Sequence, residues 1–229
     1  RVVTRDRAHQ RSTHDVDPNP EQVGVKAAEL EELYRQLLRP DVAVVIAVAP
    51  TGSGKSTYLP WRLLVPLDGH PPDAFTENGL IVVTQPRQLP TRDIPSFVAP
   101  QLHGGGCGAG HDIGFRHAGN HACDWNNRLV YVTDGTLINW LAAGELDRIG
   151  MVMIDEAHER SSNIDLILAL LARTIPRYPH LKVIIASATI DEKKFARFFN
   201  AALPEYLRCE IVRMSGKDRN AGYQRFFSS

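Results

Sequence analysis

The sequence has few cysteines, no net charge and no long hydrophobic run. Three cysteines in 229 residues are too few for a disulfide scaffold and favour a reducing compartment, so we expect a cytoplasmic protein. Lys plus Arg and Asp plus Glu each number 26, which excludes a strongly basic, histone-like nucleic-acid binder but not a basic strip on one face. No apolar run approaches the roughly 20 residues of a membrane-spanning helix. What remains is the composition of an ordinary globular domain, 43% hydrophobic and 23% charged.

The two ends of the chain differ in composition from its middle. Residues 1–20 are polar and charged, which predicts a disordered tail. Residues 21–215 are predicted to form one domain, and residues 216–229 to begin a linker or a C-terminal tail. Because the chain begins with Arg1 rather than Met, we expect the natural N-terminus to lie upstream.

Short apolar runs alternate with amphipathic stretches through the middle of the chain. The runs are nearly continuous in β-branched and aliphatic residues, which is typical of parallel strands covered on both faces. The alternation predicts an α/β fold with a doubly wound, mostly parallel sheet and helices on both faces. The predicted strands are 42–48, 80–83, 129–132, 151–154, 182–186 and 210–212, and the predicted helices are 26–38, 54–64, 135–143, 162–174 and 191–199.

A glycine-rich loop, Ala49–Thr57 (APTGSGKST), follows the first predicted strand. Such a loop exposes successive backbone N–H groups that can cradle phosphate. Lys55 is expected to reach the outer phosphates, and the Ser56 hydroxyl to bind Mg²⁺. Ala49 replaces the usual first glycine, at a position that shapes the loop and makes no phosphate contact. The predicted nucleotide-binding residues are Gly52, Ser53, Gly54, Lys55, Ser56 and Thr57.

An acidic segment, Asp155–Arg160 (DEAHER), directly follows the predicted strand 151–154. A carboxylate at the end of a buried strand is costly unless it is paired or bound to a metal. We expect Asp155 to hold Mg²⁺ through water and Glu156 to orient and deprotonate an attacking water. The alternative, an acidic helix cap, is disfavoured because the same chain carries the phosphate-type loop.

Five motifs occur in a fixed order between residues 25 and 215: TGSGKST, TQPR, TDGTL, DEAHER and SAT. In this order they resemble the first RecA-like domain of DEAH/RHA-type superfamily 2 helicases. The amino-acid sequence around DEAHER and SAT is most similar to the bacterial large RNA-helicase branch of that family. The resemblance implies ATP hydrolysis coupled to movement on, or unwinding of, nucleic acid. It also implies ATP (or another NTP) and Mg²⁺ as cofactors, and single-stranded nucleic acid, with RNA expected, as the partner.

The resemblance assigns further roles near the nucleotide. Lys55, Asp155, Glu156 and His158 are the implied catalytic residues, and His158 is implied to sense the γ-phosphate region and a second domain. Ser187 and Thr189 of SAT are implied to couple hydrolysis to strand separation. A hydroxyl pair at the end of the strand 182–186 can hydrogen-bond to the His158 side.

The TQPR motif matches the first nucleic-acid motif of the family. Arg87 is expected to contact a backbone phosphate, and the alternative is that it only pairs with a neighbouring carboxylate. The residues after it, 88–90, depart from the family pattern. Phe97, with Arg92 nearby, stands where the family often has a base-stacking arginine. Core packing is the favoured expectation for Phe97, and base stacking is the alternative.

The TDG motif matches the second nucleic-acid motif. Thr133 and the Gly135 amide are expected to bind phosphate at a helix N-terminus, unless Asp134 merely caps the helix. Arg116 is a weaker candidate for a nucleic-acid contact, because the segment around it matches the family in an ambiguous register.

One cluster of histidines and cysteines lies outside the family pattern. The cysteines are isolated and form no C-x-x-C pair, so a flexible surface loop is favoured over a structural metal site. The members of the cluster are His103, Cys107, His111, His117, His121 and Cys123.

The sequence contains no Q-R-x-G-R-x-G-R motif, whose arginines stabilise the transition state in the second RecA-like domain of the family. We therefore expect an excised domain or fragment, with that second domain as its partner, weak nucleotide binding and little turnover. The alternative is a nucleotide-gated nucleic-acid or protein binding module without unwinding activity. A module that had lost catalysis would not need its catalytic residues. The sequence argues against this alternative because it retains Lys55, Ser56, Asp155 and Glu156.

Overall fold

A computed structural model describes most of the predicted domain. None of the described helices is long and apolar enough to cross a membrane. The predicted tails 1–20 and 216–229, His103 and Thr189 lie outside the described residues. The described ranges are 25–101, 106–117, 120–188 and 191–215.

Strands and helices alternate along these ranges. In chain order the elements are α1 (Ala27–Leu37), β1 (Val42–Val48), α2 (Tyr58–Leu64), β2 (Leu80–Gln85), α3 (Gln88–Val98), β3 (Ile113–His117), β4 (Asn120–Ala122), β5 (Leu129–Thr133), α4 (Asp134–Ala143), β6 (Ile149–Ile154), α5 (Ser162–Thr174), β7 (Lys182–Ser187), α6 (Glu192–Ala202) and β8 (Arg208–Arg213).

The strands form one eight-stranded sheet in the order β4-β3-β5-β2-β6-β7-β1-β8. Only β4 runs antiparallel to its neighbour, and every other adjacent pair in the sheet is parallel. The prediction of a mostly parallel sheet is therefore confirmed. The carboxyl ends of the parallel strands all meet at one edge of the sheet, where ligands of such sheets bind.

Alternate strand residues pack into two cores on opposite faces of the sheet. Ile81, Val83 and Met153 point to the face that α1 and α2 cover. Val82 and Val152 point to the other face, against helices α4, α5 and α6. Burial on both faces explains why the strand sequences are nearly continuous in apolar residues.

Local hydrogen bonds define the ends of several helices. The Ser161 hydroxyl accepts from the Ile164 N–H at 3.2 Å at the start of α5, and an Asp191 carboxylate oxygen accepts from the Lys194 N–H at 3.0 Å at the start of α6. Gly144 ends α4 with a left-handed φ of 72°.

The structure differs from the sequence predictions in three regions. Helix α3 (Gln88–Val98) is not among the helices predicted from the apolar pattern. Strands β3 and β4 were not predicted, because their residues lack a continuous apolar pattern. Helix α2 begins later than the predicted stretch 54–64. The turns of the glycine-rich loop continue as far as Thr57, whose φ is −119°, and Leu59 N–H donates to the Gly54 carbonyl at 3.0 Å.

Candidate active site

The glycine-rich loop after β1 encloses the side chain of Lys55. Gly52 and Gly54 adopt left-handed backbone conformations, with φ values of 80° and 86°, that favour glycine. The buried Lys55 Nζ donates to the carbonyls of Ala49 at 2.9 Å and Pro50 at 2.8 Å. These bonds hold the ammonium group inside the loop.

The charge environment of Lys55 is mixed. Burial lowers the pKa of the Lys55 amine, whereas the nearby carboxylates of Glu156 and Asp155 act to raise it. The lysine of the loop therefore lies within electrostatic reach of the two acidic side chains that follow β6.

Further contacts fix the rest of the loop. Ser53 is buried, and its hydroxyl has no hydrogen-bond partner among the described residues. The Tyr131 hydroxyl, from β5, donates to the Ser56 carbonyl at 3.0 Å. Sequence reasoning missed Tyr131. The sequence feature that could have identified it is a tyrosine in an otherwise aliphatic strand. A buried tyrosine hydroxyl needs a hydrogen-bond partner.

Asp155 lies immediately after β6 and is completely buried. Its Oδ2 accepts from Nε2 of Gln85 at 2.8 Å, and its Oδ1 accepts from the Glu156 backbone N–H at 2.9 Å. Gln85 is the last residue of β2, which neighbours β6, and sequence reasoning assigned it no role. Each carboxylate oxygen thus accepts a hydrogen bond. Because both donors are uncharged, they do not neutralise the negative charge of the carboxylate.

Glu156 adopts a left-handed conformation with a φ of 52°. Burial raises the pKa of its carboxyl group, and the neighbouring Asp155 adds to the rise, whereas His158 and Lys55 oppose it. Nδ1 of His158 lies 3.3 Å from Glu156 Oε2 without forming a hydrogen bond, and no other described residue bonds to that nitrogen. The segment after β6 therefore presents the two predicted carboxylates and the predicted histidine together.

Ser187 ends β7, and its side chain is completely buried. Its carbonyl accepts from the Ala49 N–H at 3.0 Å, which joins the end of β7 to the start of the glycine-rich loop. Its hydroxyl has no hydrogen-bond partner among the described residues, so Ser187 does not make the predicted hydrogen bond to the His158 side.

The predicted nucleic-acid residues follow other strands of the same edge. The side chain of Arg87 is 77% exposed, and its Nη2 lies 4.0 Å from Oε1 of Glu159. Arg87 therefore has a neighbouring carboxylate with which it could pair, as the alternative prediction required. The distance of 4.0 Å is the longest at which two charged groups count as an ion pair. A long contact of this kind leaves most of the guanidinium facing solvent.

Thr133 and Gly135 lie where β5 passes into α4. The Thr133 and Thr136 hydroxyl oxygens are 3.0 Å apart, and a Cβ built on Gly135 would meet open space. Asp134 is the first residue of α4, its side chain is buried, and burial raises the pKa of its carboxyl group. Thr133 occupies the N-cap position of the helix without a side-chain capping hydrogen bond, and Asp134 does not occupy that position.

Arg116 and Phe97 are both exposed. The guanidinium carbon of Arg116, in β3, lies 5.6 Å from the centroid of the Trp140 ring. Phe97, in α3, is 64% exposed, so the expectation that it packs in the core is wrong. Base stacking by Phe97 stays a prediction.

The structure sorts the predicted residues into two groups. The first group lies at the ends of β6, β7 and β1, which are neighbours in the sheet: the loop 49–57 follows β1, residues 155–158 follow β6, and Ser187 ends β7. The second group lies on β2, β5 and β3, the next strands in the sheet: Arg87 follows β2, Thr133 ends β5 and Arg116 lies within β3. Thr189 lies outside the described residues. Within the described ranges, no group of three or more His, Cys, Asp or Glu side chains is placed to hold a metal ion.

Comparisons with known proteins find helicases that are similar to this chain. The model of the family "DEAD/DEAH box helicase" matches residues 113–198. The chain is 37% identical over 223 residues to "ATP-dependent RNA helicase HrpA" of Escherichia coli (strain K12), in an alignment that covers 95% of this chain and 15% of that protein. It is 36% identical over 160 residues to "ATP-dependent RNA helicase HrpA" of Borreliella burgdorferi, covering 69% of this chain and 18% of that protein.

Solved structures show the same relationship. The crystal structure of the Escherichia coli DEAH/RHA helicase HrpB superposes with a TM-score of 0.66 at 36% identity, covering 83% of this chain and 22% of that chain. The chain thus spans less than a quarter of the length of each of these relatives.

Proposed function

We propose that this chain, which carries a DEAD/DEAH box helicase domain with the RecA-like fold of HrpB, binds ATP with Mg²⁺ and single-stranded RNA as part of a helicase motor. The observation that carries the proposal is the position of Lys55. Its ammonium group is buried in a loop with two left-handed glycines and lies within electrostatic reach of Asp155 and Glu156. A lysine and backbone amides suit phosphate oxygens, and the paired acids suit metal-assisted hydrolysis.

The residues present fit a magnesium ion. Ser56 and Asp155 supply the hard oxygen ligands that Mg²⁺ prefers, and Asp155 is a buried carboxylate whose two hydrogen-bond donors are uncharged. We propose that these two side chains hold the ion, Asp155 through water. When bound, Mg²⁺ supplies positive charge that neutralises the phosphate oxygens.

Glu156 is the proposed general base. Its raised pKa makes it a better proton acceptor than an ordinary glutamate, because basicity rises with pKa. An attacking water would give its proton to a Glu156 carboxylate oxygen, and the imidazole of His158 lies 3.3 Å from that carboxylate.

The proposed RNA contacts rest on exposure and on position along one edge of the sheet. Arg87 and Arg116 are exposed cations after β2 and within β3. The first turn of α4, with Thr133 before it and open space around Gly135, can accept a phosphate group. Contacts of this kind bind the nucleic-acid backbone and tolerate many sequences.

The test is titration of the 229-residue chain with a fluorescent ATP analogue and Mg²⁺. Lys55→Ala should weaken binding about 10- to 100-fold, because a charge-assisted hydrogen bond contributes about 1.5–3 kcal/mol. Lys182→Ala is the matched control. Lys182 is a half-buried lysine that, like Lys55, donates to two backbone carbonyls, those of Arg39 at 2.7 Å and Val42 at 2.6 Å, but it begins β7 at the opposite edge of the sheet.

The wild-type chain and Lys182→Ala should bind the analogue equally well. Equal affinities for the wild type and Lys55→Ala would contradict the phosphate-binding role of the loop.

A further inference from the structure

The hydrogen bond between Gln85 and Asp155 joins two regions that lie far apart in the sequence. It spans 70 residues of chain, measures 2.8 Å and is buried at both ends. Register explains the contact. Thr84 pairs with Ile154 across the parallel strands β2 and β6, so the next residue on each strand faces the other at the carboxyl edge.

We infer that Gln85 is a positioning residue that fixes the carboxylate of Asp155 for Mg²⁺. This inference rests on the proposed function. The Glu156 N–H holds one oxygen of Asp155 and the Gln85 amide holds the other, so the carboxylate cannot rotate without losing a hydrogen bond. With Gln85 removed, Oδ2 would lose its donor in a completely buried position.

The chemistry of an amide suits this role. An amide N–H stabilises the anionic carboxylate by hydrogen bonding yet brings no positive charge to compete with a cation. A lysine or arginine at position 85 would occupy Asp155 as an ion pair and oppose metal binding. Hydrogen-bonded partners that orient metal ligands commonly contribute about 10- to 100-fold to metal affinity.

Gln85 also adjoins the proposed RNA surface. Pro86, whose ring restricts the backbone, separates it from Arg87. The Arg87 carbonyl accepts from the N–H of Thr91 at 3.4 Å and from its hydroxyl at 2.7 Å, which fixes the start of α3. The residue that orients Asp155 is therefore held on a short, restrained segment.

The experiment measures how binding of a fluorescent ADP analogue to the 229-residue chain depends on added MgCl₂. Gln85→Met keeps the length of the side chain and removes its amide. We expect this variant to bind the analogue without Mg²⁺ as the wild type does, because the loop around Lys55 is untouched. We expect it to need about 10- to 100-fold more MgCl₂ for half of the Mg²⁺-dependent gain in affinity.

Gln36→Met is the matched control. Gln36 is another buried glutamine whose amide donates to a carboxylate, at 2.8 Å to Glu32, but it lies on α1 away from the site. Gln36→Met should need the same MgCl₂ concentration as the wild type. If Gln85→Met does not fold, Gln85→Asn replaces it, because its amide is one methylene too short to reach Asp155.

The outcomes separate this inference from the proposed function. A wild-type chain that shows no Mg²⁺-dependent nucleotide binding contradicts the proposed function itself. A wild-type chain with such binding, together with an unchanged MgCl₂ requirement in the folded Gln85 variant, overturns only the positioning role.

Discussion

Glu156 and Arg160 are the two non-glycine residues with positive φ in the described part of the chain, at 52° and 47°. They flank the short turn Ala157–Glu159 that carries His158. A left-handed conformation costs a non-glycine residue of order 1 kcal/mol or more, and strain of this kind concentrates at functional sites. Glu156 also bears a desolvation cost, which its raised pKa records. Backbone strain and burial thus coincide at the residue proposed to accept a proton.

Arg87 shows no comparable strain, and its exposed guanidinium suits a solvent-facing phosphate contact. Arg87→Ala should weaken the binding of different single-stranded RNA sequences by similar factors, because a phosphate contact reads no bases. It should also lower the slope of log affinity against log salt by about 0.7, the share of one phosphate on a single strand. Fluorescence anisotropy with two unrelated oligonucleotides over a salt series measures both effects.

Arg35→Ala is the control for this experiment. Arg35 is likewise exposed and paired with a carboxylate, that of Glu32 at 2.7 Å, but it lies in the last turn of α1. The Arg35→Ala variant should leave both the affinity for RNA and its salt dependence unchanged. An unchanged slope of log affinity against log salt in Arg87→Ala would show that Arg87 does not contact the RNA.

At the scale of elements, the pairing of β2 with β6 sets the geometry of the site, because these strands deliver Gln85 and Asp155. A glycine lies at the start of each strand: Gly79 directly precedes β2, and Gly150 is the second residue of β6. A Cβ on Gly79, whose φ is 141°, would lie 2.4 Å from the Arg148 carbonyl oxygen, and the closest atom to a Cβ on Gly150 would be the Gly79 nitrogen at 3.0 Å. The close backbone approach requires a residue without a side chain at position 79.

Gly79→Ala should therefore destabilise the domain by about 3 kcal/mol or more, the sum of backbone strain and collision with backbone. Gly69→Ala provides the comparison. Gly69 also has a positive φ, 98°, but its Cβ would meet nothing within 4 Å, so only the strain of about 1–2 kcal/mol applies. Urea denaturation of both variants measures the difference. Equal losses would show that the contact with Arg148 can relax.

Periodicity alone could predict the central elements. β1 was predicted to both of its ends, because it is apolar throughout and covered on both faces. Helix α5 was likewise predicted with the bounds that the structure shows. β3 was missed because Arg116 and His117 at its end are not buried, so the apolar run stops short there.

Contacts that depend on strand order could not be read from the sequence. Motif spacing placed Lys55 and Asp155 at strand ends, and the structure brings both to one edge of the sheet. The bond from Gln85 to Asp155 requires β2 to lie beside β6, which sequence spacing does not reveal. The Tyr131 contact with Ser56 depends in the same way on tertiary packing.

At the scale of the whole molecule, the proposed nucleotide and RNA residues share one edge of a single sheet. The carboxylates, the loop lysine and the nucleic-acid candidates all come from consecutive neighbours in the order β3-β5-β2-β6-β7-β1. The 229 residues contain no Q-R-x-G-R-x-G-R motif. If the proposed function is right, we expect the chain to bind ATP and RNA more readily than it stabilises charge in the transition state.

The 229-residue chain alone should consequently hydrolyse ATP near the background rate, with or without single-stranded RNA. An arginine supplied to the transition state accelerates related phosphoryl transfers about 10³- to 10⁵-fold, and the domain lacks that contribution. A phosphate-release assay on the purified chain measures the rate, and Glu156→Gln corrects for contaminating ATPases because it removes the proposed base. Nucleotide binding, followed in parallel, should be retained in both proteins. A robust rate that RNA stimulates and that Glu156→Gln abolishes would show that the residues of this one sheet edge suffice for catalysis.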